Sequence, residues 1–104
     1  MGELRIDNDT YREAVLVSTS TVVRLPEVRT VDDLLVLDRS RILALGPEIV
    51  LLGTGQLQVF PPASFRAQFL GVGIGFEVMN TGAACRTFNV LVTEQRRVAA
   101  LLLV

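Results

Sequence analysis

From Glu48 to Leu103 the chain alternates short apolar runs with segments of helical character, joined by only a few residues. Glu48-Ile-Val-Leu-Leu52 reads as a strand, and Pro61-Pro62 opens a helix over Ala63–Leu70, since proline is tolerated in a first helical turn. Phe65 and Phe69 stand one turn apart on one face of that helix, which Gly71 ends. Strand Ile74–Met79, helix Gly82–Glu94 and strand Val98–Leu103 follow. Strand, helix, strand, helix, strand with short joins is the pattern of two βαβ units sharing a parallel layer, with right-handed crossovers as the default. The segment Gly73–Glu94, a strand, a tight polar turn and a helix, is the one around which the rest is organised.

The N-terminal part has a different rhythm. Leu4–Ile6 and Tyr11–Ser18 read as strands around the turn Asp7-Asn-Asp-Thr10, whose side chains stabilise turns by bonding their own backbone. Ser18-Thr-Ser20 forms a second turn, and Thr21–Leu25 returns as a third strand before Pro26 stops it. These strands are antiparallel and extend or flank the parallel layer. Pro26–Thr30 is a loop. Val31–Leu37 stays open between a capped helical turn, with Thr30 and Asp33 as the capping pair, and a strand over Leu34-Leu-Val-Leu37. Asp38 caps a short helix, Arg39–Leu45, ended by Gly46 and Pro47.

The 104 residues fit one domain, 1–104, of α/β class, with no internal repeat and no linker long enough to divide it. Half of the residues are hydrophobic and the mean hydropathy is +0.47, yet no apolar run approaches the roughly 18 residues of a membrane span. Val98–Val104 is instead a strand buried on both faces. Met-Gly-Glu-Leu-Arg-Ile at the start lacks a basic region followed by an apolar core, so no signal peptide is expected and a cytoplasmic location is the default.

Composition excludes several chemistries. Ten basic against eleven acidic residues give a net charge of −1, without the clustered positive charge that nucleic acid requires. All the basic residues are arginine, so no Schiff-base or P-loop lysine exists. Histidine is absent, which removes histidine-dependent nucleophilic systems and histidine zinc sites. Neither a metal nor a cofactor is expected, and no catalytic residue is assigned. Asp7/Asp9 and Asp32/Asp33 belong to turns or caps, and Gly71-Val-Gly-Ile-Gly75 precedes a strand, which fails the dinucleotide fingerprint.

In open α/β sheets ligands bind beyond the carboxyl ends of the parallel strands. Two such ends are small and polar, Gly53-Thr54-Gly55 and Asn80-Thr81-Gly82, and parallel strands put both on one edge. The second turn leads into a helix N-terminus, where free N–H groups and the helix dipole favour an anion. Asn80 or Thr81 is the cap. Ala84, Phe88, Leu91 and Val92 share the buried helix face, while Arg86, Asn89 and Thr93 form a polar stripe. Arg86 in the first turn opposes the dipole, by about 0.3–1 kcal/mol, and so is either functional or paired with Glu77 or Glu94. Cys85 is a packed thiol, or one activated by the helix N-terminus. The binding candidates are therefore Gly53, Thr54, Gly55, Asn80, Thr81, Gly82, Cys85, Arg86 and Asn89. The two glycines of the first turn can equally be required by backbone angles.

Leu51-Leu-Gly-Thr-Gly55, Gly73-Ile-Gly-Phe-Glu-Val-Met79 and Thr81-Gly-Ala-Ala-Cys-Arg-Thr-Phe-Asn-Val-Leu91, with Glu94 and Arg97-Val-Ala-Ala100, closely resemble a small family of domains of unknown function. Its archetype is a methanogen protein, and it includes a mitochondrial respiratory complex I assembly factor and an adipogenesis-associated cytosolic protein. The resemblance covers essentially the whole chain. It implies a three-layer α/β domain with a mixed sheet, antiparallel in its N-terminal half, no established enzymatic activity, and assembly or partner binding. The family commonly carries Asp in place of Asn80 and Tyr in place of Phe88, and losing both groups weakens acid–base chemistry more than binding. The functional expectations are a binding or assembly module with a protein partner, a small-anion or metabolite site on the polar edge, or structural self-association through the apolar C-terminal strand. The expected state is a monomer or weak homodimer.

Overall fold

Six consecutive apolar residues, Val98–Leu103, form strand β7, and all six are buried. A strand with no polar face needs cover on both sides and neighbours along both edges. The computed structural model, which describes residues 2–104, supplies both. β7 lies at the centre of a five-stranded sheet, with the strands Ala14–Val17 and then Val22–Leu25 on one side and Ile49–Thr54 and then Gly75–Met79 on the other. Strands β3 (Ala14–Val17) and β4 (Val22–Leu25) are antiparallel additions on one side. Strands β5 (Ile49–Thr54) and β6 (Gly75–Met79) are parallel to β7 on the other.

The two faces bury different residue sets, as the period-two alternation of strands requires. On one face Leu16, Val50, Leu52, Phe76 and Leu101 pack beneath α2 (Ala63–Leu70), the short α1 (Ser40–Leu43) and a 3-10 helix over Val31–Val36. Phe65, Phe69 and Phe76 meet there, edge-on at 5.2 Å and 5.8 Å and stacked at 5.4 Å. Each such pair adds about 0.5–1.5 kcal/mol beyond its buried area. On the other face Val15, Val17, Leu51, Ala100 and Leu102 pack beneath α3 (Thr81–Thr93) and a separate hairpin of β1 (Leu4–Ile6) and β2 (Asp9–Tyr11). The architecture is three-layered α/β with a mixed sheet, and the C-terminal βαβαβ is parallel as the spacing predicts.

Two local expectations change, and the open reading of Val31–Leu37 is settled. Tyr11–Ser18 is two strands, because the chain leaves the β1–β2 hairpin at Arg12-Glu13 and re-enters the main sheet at Ala14. Arg24 holds that corner, 3.2 Å from the Glu13 carboxylate and 4.7 Å over the Tyr11 ring. The hairpin loop contracts to Asp7-Asn8, with Asp7 in the left-handed region at φ 54°. Val31–Val36 resolves as helix because the Asp33 carboxylate accepts the N–H of Arg29 at 2.8 Å and of Thr30 at 3.0 Å. Those two bonds hold the Asp33 carboxyl below the usual carboxylate range.

Candidate functional site

β5 does not stop at Leu52. Gly53 pairs with Met79 on one side and Leu102 on the other, and Thr54 pairs with Leu103. Gly53 is therefore a strand residue, and its function is close approach. A Cβ there would stand 2.9 Å from both the Thr81 Cα and Oγ1 and 3.1 Å from the Ala84 Cβ. Two small residues, Gly53 and Ala84, thus let the first turn of α3 sit directly on β5.

That approach brings Thr81 to Gly55. The Thr81 N–H donates to the Gly55 carbonyl at 2.8 Å, and the Gly55 N–H donates back to Thr81 Oγ1 at 2.8 Å. The same hydroxyl donates to the Leu103 carbonyl at 2.5 Å. Thr81 therefore ties together the carboxyl ends of β5 and β7 and the start of α3. Gly55 takes φ 92°, a conformation open to glycine at little cost. Thr54 acts on the loop that follows: its hydroxyl donates to the Leu57 carbonyl at 2.5 Å, lies 3.3 Å from the Met79 carbonyl, and accepts the Val59 N–H at 3.0 Å. Gln58 Nε2 donates to the Val78 carbonyl at 2.9 Å on the outer edge of β6. The loop Gln56–Phe60 is thereby strapped to the end of the sheet, with Leu57 and Phe60 exposed at 75% and 69%.

Asn80 is the cap of α3: its Oδ1 accepts the Ala83 N–H at 2.8 Å. With the Thr81 N–H bonded to Gly55 and the Ala84 N–H to the Asn80 carbonyl, the Gly82 N–H alone in this turn makes no hydrogen bond among the described residues. Most of the donors expected for an anion are thus consumed inside the fold. Arg86 starts in the second turn, not the first, because the helix begins at Thr81. Helical side chains lean toward the N-terminus, and its Nη1 reaches to within 3.5 Å of where a Gly82 Cβ would stand. It forms no ion pair with Glu77, Glu94 or any other acid among the described residues. Burial pushes the Cys85 thiol above the ordinary cysteine range, and the neighbouring Arg86 charge only partly opposes this. The helix N-terminus is too far behind it to prevail.

A cavity of about 320 Å³ opens at this edge, lined by Gly55, Asn80, Thr81, Gly82 and Cys85 from the expected set. Gly53 and Thr54 support it from beneath, while Arg86 and Asn89 lie outside its lining. Glu3, Leu4, Gln56, Leu103 and Val104 complete the walls. Leu103 and Val104 were accessible to sequence reasoning, since a third parallel strand must end on the same edge. Glu3 and Leu4 were not, because nothing local says where the hairpin packs. No three of Cys, Asp or Glu among the described residues converge as metal ligands.

A family model described as a protein of unknown function, DUF498/DUF598, matches residues 1–103. The chain belongs to this family. A Francisella tularensis protein named 13 kDa major membrane protein is 30% identical over 98% of this chain and 84% of its own length. A Xanthomonas campestris protein solved by NMR shares 34% identity and superposes with a TM-score of 0.85, covering 99% of this chain and 78% of that one. A Bordetella pertussis protein described as a Mth938-like domain, also solved by NMR, shares 25% identity with a TM-score of 0.77, over 98% of this chain and 80% of that one. Among the described residues of the present chain no helix is long and apolar enough to cross a membrane.

Proposed function

We propose that this domain is a non-catalytic binding module that receives a protein partner at the cavity beyond the carboxyl ends of β5 and β7. The assembly-factor resemblance motivates a protein partner, and the cavity lining carries the reading. Its walls are chiefly main chain, small residues and aliphatic side chains, joined by Gln56 and Asn80, and its titratable side chains are Glu3 and Cys85. Glu3 faces Arg12 at 3.7 Å, and burial disfavours the Cys85 thiolate. A thiol whose thiolate is disfavoured is a poor nucleophile, and the sequence has no histidine to activate it. A partner side chain entering here meets apolar walls, and its carbonyl or carboxylate oxygen can accept from the Gly82 N–H. Exposed Leu57 and Phe60 on the adjoining strap extend the contact surface, as large apolar side chains at interfaces do.

One observation favours a second ligand. The unpaired Arg86 guanidinium beside the free Gly82 N–H is an arrangement that a small carboxylate or phosphate would also use. Phosphate titration followed by amide NMR separates the two, since a free anion shifts Gly82 and Arg86 without any protein present.

Co-purification from the native host with mass spectrometry tests the main reading, and both soluble and membrane fractions belong in it given the name of the Francisella relative. A partner recovered reproducibly is the expected result. Failure to recover one from either fraction contradicts the proposal.

A further inference from the structure

A second cavity, larger than the one at the strand ends, lies on the same face of the sheet. That face is covered by one helix and a hairpin of two three-residue strands. The gap between them is a cavity of about 530 Å³, within the roughly 300–1,000 Å³ of small-molecule sites. Its floor is Val17 and Leu102, both buried, and its wall is Phe88 and Val92, which remain half-buried. Phe88 and Val92 are four residues apart and so point from one stripe of α3.

The rim is polar and undercommitted. It is the β3–β4 turn, Ser18 to Thr21, together with Asn89. Within the turn the Ser20 and Thr21 hydroxyls contact each other only at 3.5 Å. The Thr19 hydroxyl and the Asn89 side-chain amide make no hydrogen bond among the described residues. Arg5 and Asp7 also line the opening, so its formal charges cancel. A charged ligand would gain little from such a mouth, whereas a neutral polar group can exchange hydrogen bonds with hydroxyls and an amide.

We propose that this cavity is a binding site for a small neutral amphipathic molecule, its apolar body on Val17, Phe88, Val92 and Leu102 and its one hydrogen-bonding end at the Ser18–Thr21 rim. Cys85 is the one residue that lines both this cavity and the partner cavity, and the proposal does not depend on that reading.

Indole is a suitable probe, because it has a flat apolar body and one N–H donor and the chain contains no tryptophan. Excited on the long-wavelength side of the Tyr11 absorption, its own fluorescence therefore reports binding. The expected result is saturable binding with a dissociation constant on the order of 1 mM, the range set by ligand efficiency for so small a molecule. Methyl NMR shifts should concentrate on Val17, Val92 and Leu102. Asn89→Phe, at an exposed helix position that lines the mouth, should weaken binding by about tenfold or more, while Gly82→Leu at the other cavity should leave it unchanged. Benzoate, the charged counterpart, should bind more weakly than indole. The proposal is overturned if indole does not saturate, if the shifts fall outside the cavity, if Asn89→Phe with a native-like spectrum binds indole as wild type does, or if benzoate binds better.

Discussion

A methyl group added at position 53 would stand 2.9 Å from a backbone atom of α3, closer than real Cβ contacts come. Because the obstructing Thr81 Cα cannot swing aside as a side-chain tip can, α3 must move away from β5. Overpacking of this kind costs about 1–3 kcal/mol. The movement also strains the paired bonds between Thr81 and Gly55 and the bond from Thr81 Oγ1 to Leu103, each worth about 0.5–1.5 kcal/mol net. Gly53→Ala should therefore destabilise by about 2–4 kcal/mol, the upper end applying if the Thr81 bonds break. At roughly 4–8 °C per kcal/mol for a domain of this size, the melting temperature should fall by at least 8 °C. The sign is the discriminating result. Gly53 has no positive φ, so if it merely occupied a strand, alanine would stabilise by about 0.4–1 kcal/mol through the unfolded chain. A calorimetric or urea measurement showing Gly53→Ala equal to or more stable than wild type would refute the close-approach argument.

Phe65→Ala should cost about 3–5 kcal/mol in urea unfolding, because the ring is fully buried between Phe69 and Phe76; a loss under 2 kcal/mol would mean that the site collapses. Glu48 accepts the Arg97 N–H at 3.0 Å and Arg96 Nε at 2.8 Å, and these bonds lower its carboxyl from the ordinary 4.5. A lowered folded pKa gives stability that is present above the unfolded value and lost as pH falls through the folded one. Glu48→Gln should thus be less stable than wild type at pH 7, with the gap closing in acid; a gap that persists at pH 2 contradicts the linkage. Cys85 should react with iodoacetamide more slowly than free cysteine at pH 8, and its pH–rate midpoint should lie above the ordinary 9.0 because burial raises the thiol. A midpoint below that of free cysteine would mean that the helix N-terminus governs it after all.

Much of the C-terminal half was legible because its signals are local. Prolines at 61 and 62, Gly46 in the left-handed region at φ 67° and the unbroken apolar run of β7 each fix an element by a mechanism that needs no distant partner, whereas Gly71 stays right-handed and the left-handed glycine after α2 is Gly73. That the Gly53–Gly55 and Asn80–Gly82 segments share one sheet edge followed from strand direction alone. What could not be read required tertiary information. Gly53 and Thr54 look like a turn because small polar residues end strands, yet here the strand continues and the small size serves the helix above it. Arg12-Glu13 does not announce a break in an otherwise alternating run, since the corner is made by Arg24 arriving from another strand. The larger cavity went unseen for a related reason: nothing in Phe88 or Val92 tells how far a distant hairpin will reach across the sheet.

Position 82 allows the central claim to be separated from stability. Gly82 lines the strand-end cavity, and a Cβ there meets only the Arg86 guanidinium and the Asn80 side chain, both at an ordinary 3.5 Å. Leucine is a better helix former than glycine by up to about 0.8–1 kcal/mol, less in a first turn. Gly82→Leu should therefore keep or raise the melting temperature while filling the cavity. Titration of the co-purified partner into wild type and Gly82→Leu by calorimetry measures the consequence directly. The binding-module account predicts an affinity at least about tenfold weaker for the variant, a loss of roughly 1.4 kcal/mol, in a protein no less stable than wild type. Equal affinity in the two proteins would show that the partner binds elsewhere.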